Sequence, residues 1–209
     1  MNFEDTQPFP HVVWDDFWDD ETLGEILAEW PADDDERWEN MATKNVIKST
    51  VFEREKCGPD TQGFYEFLED RDWIRSLEKL SDLHGLVLGY AGLHYIKPGG
   101  YMKMHSDFNW HPQLNLMRTL NVNIYLNKDW EPEHKGELEL WNADMTECVQ
   151  KIPPLYNRTV IMKCSETAFH GHPDPQYGYR KSFAAYYFSP GKPENVHGTI
   201  YRKRGTKNA

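Results

Sequence analysis

After Leu83 the chain becomes a succession of short β-rich runs, LVLGYAGLHYI, YMKMHSD, LNVNIYLN, GELELWN, TECVQKI, RTVIMKC and KSFAAYYFS, ending near Ser189. Gly, Pro, Asn and Asp fill the links, and no helical periodicity lies between the runs. Strands this numerous with no helix between them cannot build alternating βα units, so they imply an antiparallel sandwich or barrel. The segment before them is mixed. His11 to Trp14 reads as a short extended run. Asp19 or Asp20 caps a helix from Glu21 to Glu29, which Pro31 stops, with Leu23, Ile26 and Leu27 as its apolar stripe. A strand is predicted from Val46 to Phe52. Two helical patterns follow between Asp60 and Leu83, and the break in phase from Leu68 to Trp73 places a link near Asp70 or Arg71. The polar, basic end, GKPENVHGTIYRKRGTKNA, reads as a loosely held terminus.

The expected class is therefore mainly β with N-terminal helices. A length of 209 residues suits one domain. Its parts are a helical support over 1–83, a β core over 84–189 and a tail over 190–209. With 39% hydrophobic residues, 8 Trp, 11 Tyr and 10 Phe, the composition excludes a disordered chain. The net charge of −11 argues against nonspecific binding to nucleic acid or to an anionic bilayer, so neither is an expected partner. The three cysteines show no CxxC spacing, which leaves no support for a disulfide framework or a structural zinc site. A leader pattern and a long apolar stretch are both lacking in the sequence, and a soluble, cytoplasmic protein is expected.

YMKMHSDFNW places His105 and Asp107 two apart near the end of a strand, where both side chains face the same way. An imidazole and a carboxylate so placed can share a metal. A histidine from a distant strand would complete a 2-His-1-carboxylate set, an arrangement suited to non-haem Fe(II) because it leaves coordination positions open. The HxD spacing alone is equally that of a structural pair. Downstream, His170 and His172 are both candidates for the third ligand, and spacing does not separate them. Arg180, ten residues after His170, opens a strand whose alternation puts Arg180, Ser182 and Ala184 on one face. A guanidinium fork beside a hydroxyl and a small residue can clamp a carboxylate bidentately. Lys181 points away from that face. Asn121, Asn123 and Tyr125 alternate with Leu120, Val122, Ile124 and Leu126, and a polar face turned inward fits a ligand cavity better than a sealed core.

Taken together, HSD, RTLNVNIYLNKDW, GELELW, NRTVIM and HGHP followed by RKS resemble, in order, the catalytic domain of the prolyl-4-hydroxylase-like branch of the Fe(II)/2-oxoglutarate oxygenases. The resemblance spans about Leu93 to Ser189 and implies a double-stranded β-helix (jelly-roll) core. It also implies Fe(II), 2-oxoglutarate as co-substrate and O₂, with His105, Asp107 and His170 as iron ligands. The position of His170, and Pro173 as a sign that the strand ends by His172, favour His170 over its neighbour. Arg180 would anchor the far carboxylate of 2-oxoglutarate, with Ser182, Asn123, Tyr125 and Tyr95 as further cofactor contacts. For each tyrosine a core aromatic with a satisfied hydroxyl is the alternative. Halogenating relatives lack the carboxylate, so the presence of Asp107 favours hydroxylation. Arg118 could hold a substrate carboxylate or close an ion pair. Phe108, Asn109, Trp110 and His111, next to the metal motif, form a candidate substrate wall, with His172 as a further contact. The resemblance implies hydroxylation of an unactivated C–H bond in a peptide or small molecule. Peptidyl proline is the first candidate, and a free amino acid or other metabolite the alternative. A cupin-like metalloenzyme independent of 2-oxoglutarate is the rival; it would need no clamp at Arg180.

Overall fold

The computed structural model describes residues 2–205. In chain order the elements are β1 (His11–Trp14), α1 (Asp20–Ala28), β2 (Glu39–Ala42), β3 (Val46–Val51), α2 (Pro59–Glu69), α3 (Arg71–Ser81), β4 (Val87–Ile96), β5 (Tyr101–Ser106), β6 (Trp110–His111) and β7 (Leu116–Tyr125). There follow β8 (Leu138–Trp141), β9 (Cys148–Ile152), β10 (Thr159–Lys163), β11 (His170–His172), β12 (Arg180–Pro190) and β13 (Ile200–Tyr201).

Local chemistry sets the helix boundaries. Asp19 caps α1 by accepting from the Thr22 amide. Asp70 ends α2 and caps α3 at once, accepting from the amides of Asp72 and Trp73. The carboxylate of Glu29, just past α1, takes the amides of Asp60 and Thr61 and the Thr61 hydroxyl, so one helix supplies the cap of the next. This approach requires glycine at 58, where a Cβ would lie 2.2 Å from the Glu29 carboxyl carbon.

The strands form one curled antiparallel sheet in the order β1-β10-β7-β12-β4-β3-β5-β11-β8-β9, with β13 added to β5, β2 to β3 and β6 to β7. The curl brings the two ends of this order together. Tyr125, Val160 and Met162 from one end share a buried cluster with Leu138, Leu140 and Ile152 from the other. The result is a jelly-roll-like half-barrel with a concave and a convex face. Alternation along each strand sorts residues between them. Leu120, Val122 and Ile124 of β7 and Phe183, Ala185 and Tyr187 of β12 pack with the helices, through Leu23, Ile26, Phe64, Leu68 and Leu77. Each such fully buried side chain contributes roughly 1.5–3 kcal/mol. Asn121, Asn123, Tyr125, Arg180, Ser182 and Tyr186 line the concave face.

Three expectations are revised. Residues 1–83 are not helical support only, because β1 pairs β10 and β3 lies between β4 and β5. The described part of the tail is held rather than loose: β13 pairs β5, and the amides of Arg202 and Gly205 donate to the carbonyls of Met104 and Met145. The strand that begins at His170 runs through His172 instead of ending before it, since β5 continues as its partner to Met102.

Candidate metal centre and its cavity

The antiparallel pairing of β5 with β11 sets His105 directly opposite His170, and their ring centroids lie 4.4 Å apart. Each ring is fixed from behind. His105 Nδ1 lies 2.9 Å from the Lys103 carbonyl, and His170 Nδ1 lies 2.9 Å from the Ala168 carbonyl. A carbonyl can only accept, so Nδ1 carries the proton in both and the Nε2 lone pairs turn to the cavity. There they meet Asp107, with His105 Nε2 3.5 Å from Oδ1 and His170 Nε2 3.7 Å from Oδ2. The three ligand atoms lie within 4.8 Å of one another. Two aimed imidazole nitrogens and one carboxylate oxygen fit a divalent iron as a facial triad.

The electrostatics keep these groups in ligand form. Burial alone would raise the Asp107 pKa, but Arg118 and the two histidines outweigh it and hold the carboxyl well below its ordinary value. Burial, and then the neighbouring His105, lower His170 from 6.5 to about 4. His94 and His172 are also pushed down, first by burial. These histidines have folded pKa values below their unfolded ones. Under acid the unfolded chain takes up protons that the folded chain refuses, and stability falls as pH drops below 6.5. Asp107 acts in the same direction at lower pH. The metal-free protein is therefore expected to show a falling Tm from pH 6.5 to 4.5 in thermal melts; a flat profile would contradict these environments.

Arg118 and Asn121 brace the carboxylate. Arg118 reaches Asp107 Oδ2 at 3.0 Å, and Asn121 Nδ2 donates to the same oxygen at 2.7 Å. Arg118 also donates to Asn121 Oδ1 and to the Tyr90 hydroxyl, and it lies over the Tyr186 ring at 4.2 Å. Of the two roles open for Arg118, it takes the ion pair. A bulge between the Arg118 and Leu120 pairings lets both Arg118 and Asn121 face inward although three apart. Loss of such an outer partner costs roughly 10–100-fold in metal affinity. Asn121→Ala is expected to weaken iron binding within that range, read by competition with a chelator, while leaving the fold intact.

At the far end of the cavity Arg180 is buried. Its Nε donates to the Gly136 carbonyl at 3.0 Å and its Nη2 to the Tyr125 hydroxyl at 3.1 Å. Ser182 and Asn123 line the space between this pair and the metal cluster. Lys181 points to the opposite face, over Trp30 and Tyr95.

Tyr95 is not at the cavity, which corrects its expected role as a cofactor contact. It pairs with Lys181, whereas its neighbour His94 pairs with inward-facing Ser182. The Tyr95 ring packs against Trp30 and Trp38, and its hydroxyl donates to Asp33 at 2.7 Å. Asn109, Trp110 and His111 likewise stand outside, at the rim. β6 pairs the start of β7, the His111 ring packs against Phe188 at 5.9 Å, and Asn109 is engaged with the backbone of Asn195 and His197. Phe108 lies under the Arg118 guanidinium at 5.0 Å. His172 does line the cavity, with a buried Nδ1 that has no partner.

Lys48 on β3, His94 on β4 and Tyr186 on β12 are inward residues that escaped the sequence reading. The signal for Lys48 was present: a lysine in the middle of the apolar strand VIKSTV.

Residues 91–188 match the model of the 2OG-Fe(II) oxygenase superfamily. No curated protein matches the sequence. Among solved structures, a Pseudomonas putida prolyl-4-hydroxylase superposes with a TM-score of 0.68 at 16% identity, covering 87% of this chain and 93% of its own. A Trichoplax adhaerens prolyl hydroxylase, solved with a hypoxia inducible factor peptide fragment, gives 0.63 at 16% identity, with coverages of 86% and 83%. HygX from Streptomyces hygroscopicus, with nickel, 2-oxoglutarate and hygromycin B bound, gives 0.59 at 10% identity, with coverages of 93% and 92%.

Proposed function

We propose that this chain, which carries a 2OG-Fe(II) oxygenase domain on a prolyl-4-hydroxylase-like fold, hydroxylates an unactivated C–H bond of an amino-acid-like substrate. It is a metal-dependent oxygenase that uses Fe(II), 2-oxoglutarate and O₂. The observation that carries the reading is one concave face with the triad at one place and the Arg180–Tyr125 pair at another. Bound iron, with 2-oxoglutarate and O₂, supplies the oxidising power: one oxygen atom goes to the substrate as hydroxyl, the other to succinate, and CO₂ is released.

The chain's residues hold and orient. His105, His170 and Asp107 hold the metal, and Arg118 and Asn121 keep the carboxylate turned toward it. Arg180 and the Tyr125 hydroxyl take the distal carboxylate of 2-oxoglutarate, an acceptor that suits a buried fork of donors. Ser182 and Asn123 flank its carbon chain. The buried walls exclude water from the reacting centre. Proline is the first candidate substrate, in a peptide or free, because relatives of the same fold bear the name prolyl hydroxylase. Trp110 and His111 at the rim would meet the outer part of a larger substrate. Among the described residues no helix is long and apolar enough to cross a membrane.

Anaerobic addition of 2-oxoglutarate to the iron-loaded protein tests the reading. A weak visible absorption band of the iron–oxoacid complex is expected. Its absence with iron bound would favour the cupin-like, oxoacid-independent alternative and remove Arg180 from the reaction.

A further inference from the structure

Arg180 is not the only cation on the concave face without a carboxylate partner. Lys48 projects there from β3, and among the described residues its one hydrogen-bond partner is His94, with Nζ 3.4 Å from Nδ1. His94 is held in turn through Nε2 by the Tyr186 hydroxyl at 3.1 Å. A half-buried ammonium hydrogen-bonded only to a neutral ring is compensated solely at a distance, by Asp107; burial outweighs that carboxylate and lowers its pKa from 10.5 to about 8. In a chain of net charge −11, with 34 acidic residues to draw on, the single acid lining this cavity is Asp107, already taken by Arg118 and Asn121.

Register places Lys48 apart from the Arg180 clamp. Ser49 pairs Tyr95, so Lys48 lies beside Ile96, and Ile96 pairs Arg180 on its other side. Two strand spacings, about 10 Å, separate the two backbones. The Arg180 fork turns the opposite way, toward Tyr125 and Gly136. On the other flank Val46 and His172 both pair Met102, so His172 lies two strands away from Lys48 and two residues out of line with it, while Lys48 Nζ turns the other way, to His94. The strand of Lys48, β3, pairs β5, which bears His105.

Resting on the oxygenase reading above, we propose that Lys48 forms a second anion subsite, on the opposite side of the cavity from the Arg180–Tyr125 pair, that holds the carboxylate of the molecule being oxidised. The subsite lies beside the strand that bears His105, and Asp107 is the nearest opposite charge acting on Lys48, so carboxylate and target C–H bond are only a few bonds apart. This describes a free, amino-acid-sized acid rather than a residue inside a peptide, whose carboxyl is a neutral amide.

The test loads the protein with nickel(II) and 2-oxoglutarate, so that nothing turns over, and measures calorimetric binding of a panel. The panel contains free L-amino acids including proline, their carboxamides, and N-acetylated, C-amidated aspartate and glutamate. At least one free acid is expected to bind, with its amide weaker by roughly 10- to 100-fold. Lys48→Met is expected to lose the same factor for that acid, Lys48→Arg to retain most of the affinity, and both to bind 2-oxoglutarate like the wild type, which also reports an intact fold. The proposal is overturned if no panel member binds or if Lys48→Met binds the acid as tightly as the wild type. It is equally overturned if the capped acidic residues bind as well as any free acid, or if Lys48→Met loses 2-oxoglutarate affinity. Failure of the wild type to bind 2-oxoglutarate would instead remove the oxygenase reading itself, so the two failures are distinct.

Discussion

Asp107→Ala is expected to abolish both iron binding and turnover. The substitution removes one of three ligand side chains, and its cost should exceed the roughly 10–100-fold that loss of an outer partner brings. It also strips Arg118 of its counter-charge. Arg118 is only 6% exposed, and a buried charge left unpaired costs about 3–5 kcal/mol. The variant should therefore combine lost metal with a lowered Tm, whereas Asp107→Asn, which keeps a polar oxygen near the guanidinium, should lose metal with a smaller drop in Tm. Iron content after dialysis and a thermal melt check both halves. Full activity in Asp107→Ala would refute the triad.

Arg180→Met is expected to separate co-substrate from metal. Removing the charged partner of a buried carboxylate costs about 2–5 kcal/mol, or roughly 30- to 5,000-fold in 2-oxoglutarate affinity. Iron binding should stay near the wild-type value, because Arg180 is not among the three ligand side chains. Methionine fills much of the stem's volume, which limits the cavity left behind. Titration with 2-oxoglutarate under anaerobic conditions reads the first quantity and chelator competition the second. Unchanged co-substrate affinity would move the clamp elsewhere, with Lys48 the next cation on that face.

Much of this was legible in one dimension because strand alternation is a short-range property. Arg180 and Ser182 against Lys181, and Asn121, Asn123 and Tyr125 against their apolar neighbours, sort to the faces that simple parity assigns. The helix breaks at Asp19 and Asp70 follow from local capping and are equally visible. What parity cannot reveal is which of two faces becomes concave, and where a bulge shifts the count. Tyr95 was misplaced for the first reason: the family resemblance suggested a cavity contact, while pairing with Ser182 turns His94 inward instead. The inward turn of both Arg118 and Asn121 depends on a bulge that leaves no sequence mark. Lys48 needed long-range knowledge of another kind, that β3 inserts between β4 and β5. The tail was misjudged because what holds it is distant in sequence: the backbone of Asn195 and His197 bonds to Asn109.

That β13 completes the edge beside His105 bears on the order in which the protein is made. Tyr201 pairs His105 itself, and Ile200 pairs Ser106. A ribosome delivers His105 long before it delivers these partners, and the other histidine ligand, His170, also comes late. During synthesis β3 is already in place beside the start of this strand, but His105 itself waits with its partners on both sides, His170 and Tyr201, unmade. The full set of three ligand side chains thus exists only once His170 has been made, and the strand that covers the edge at His105 comes later still.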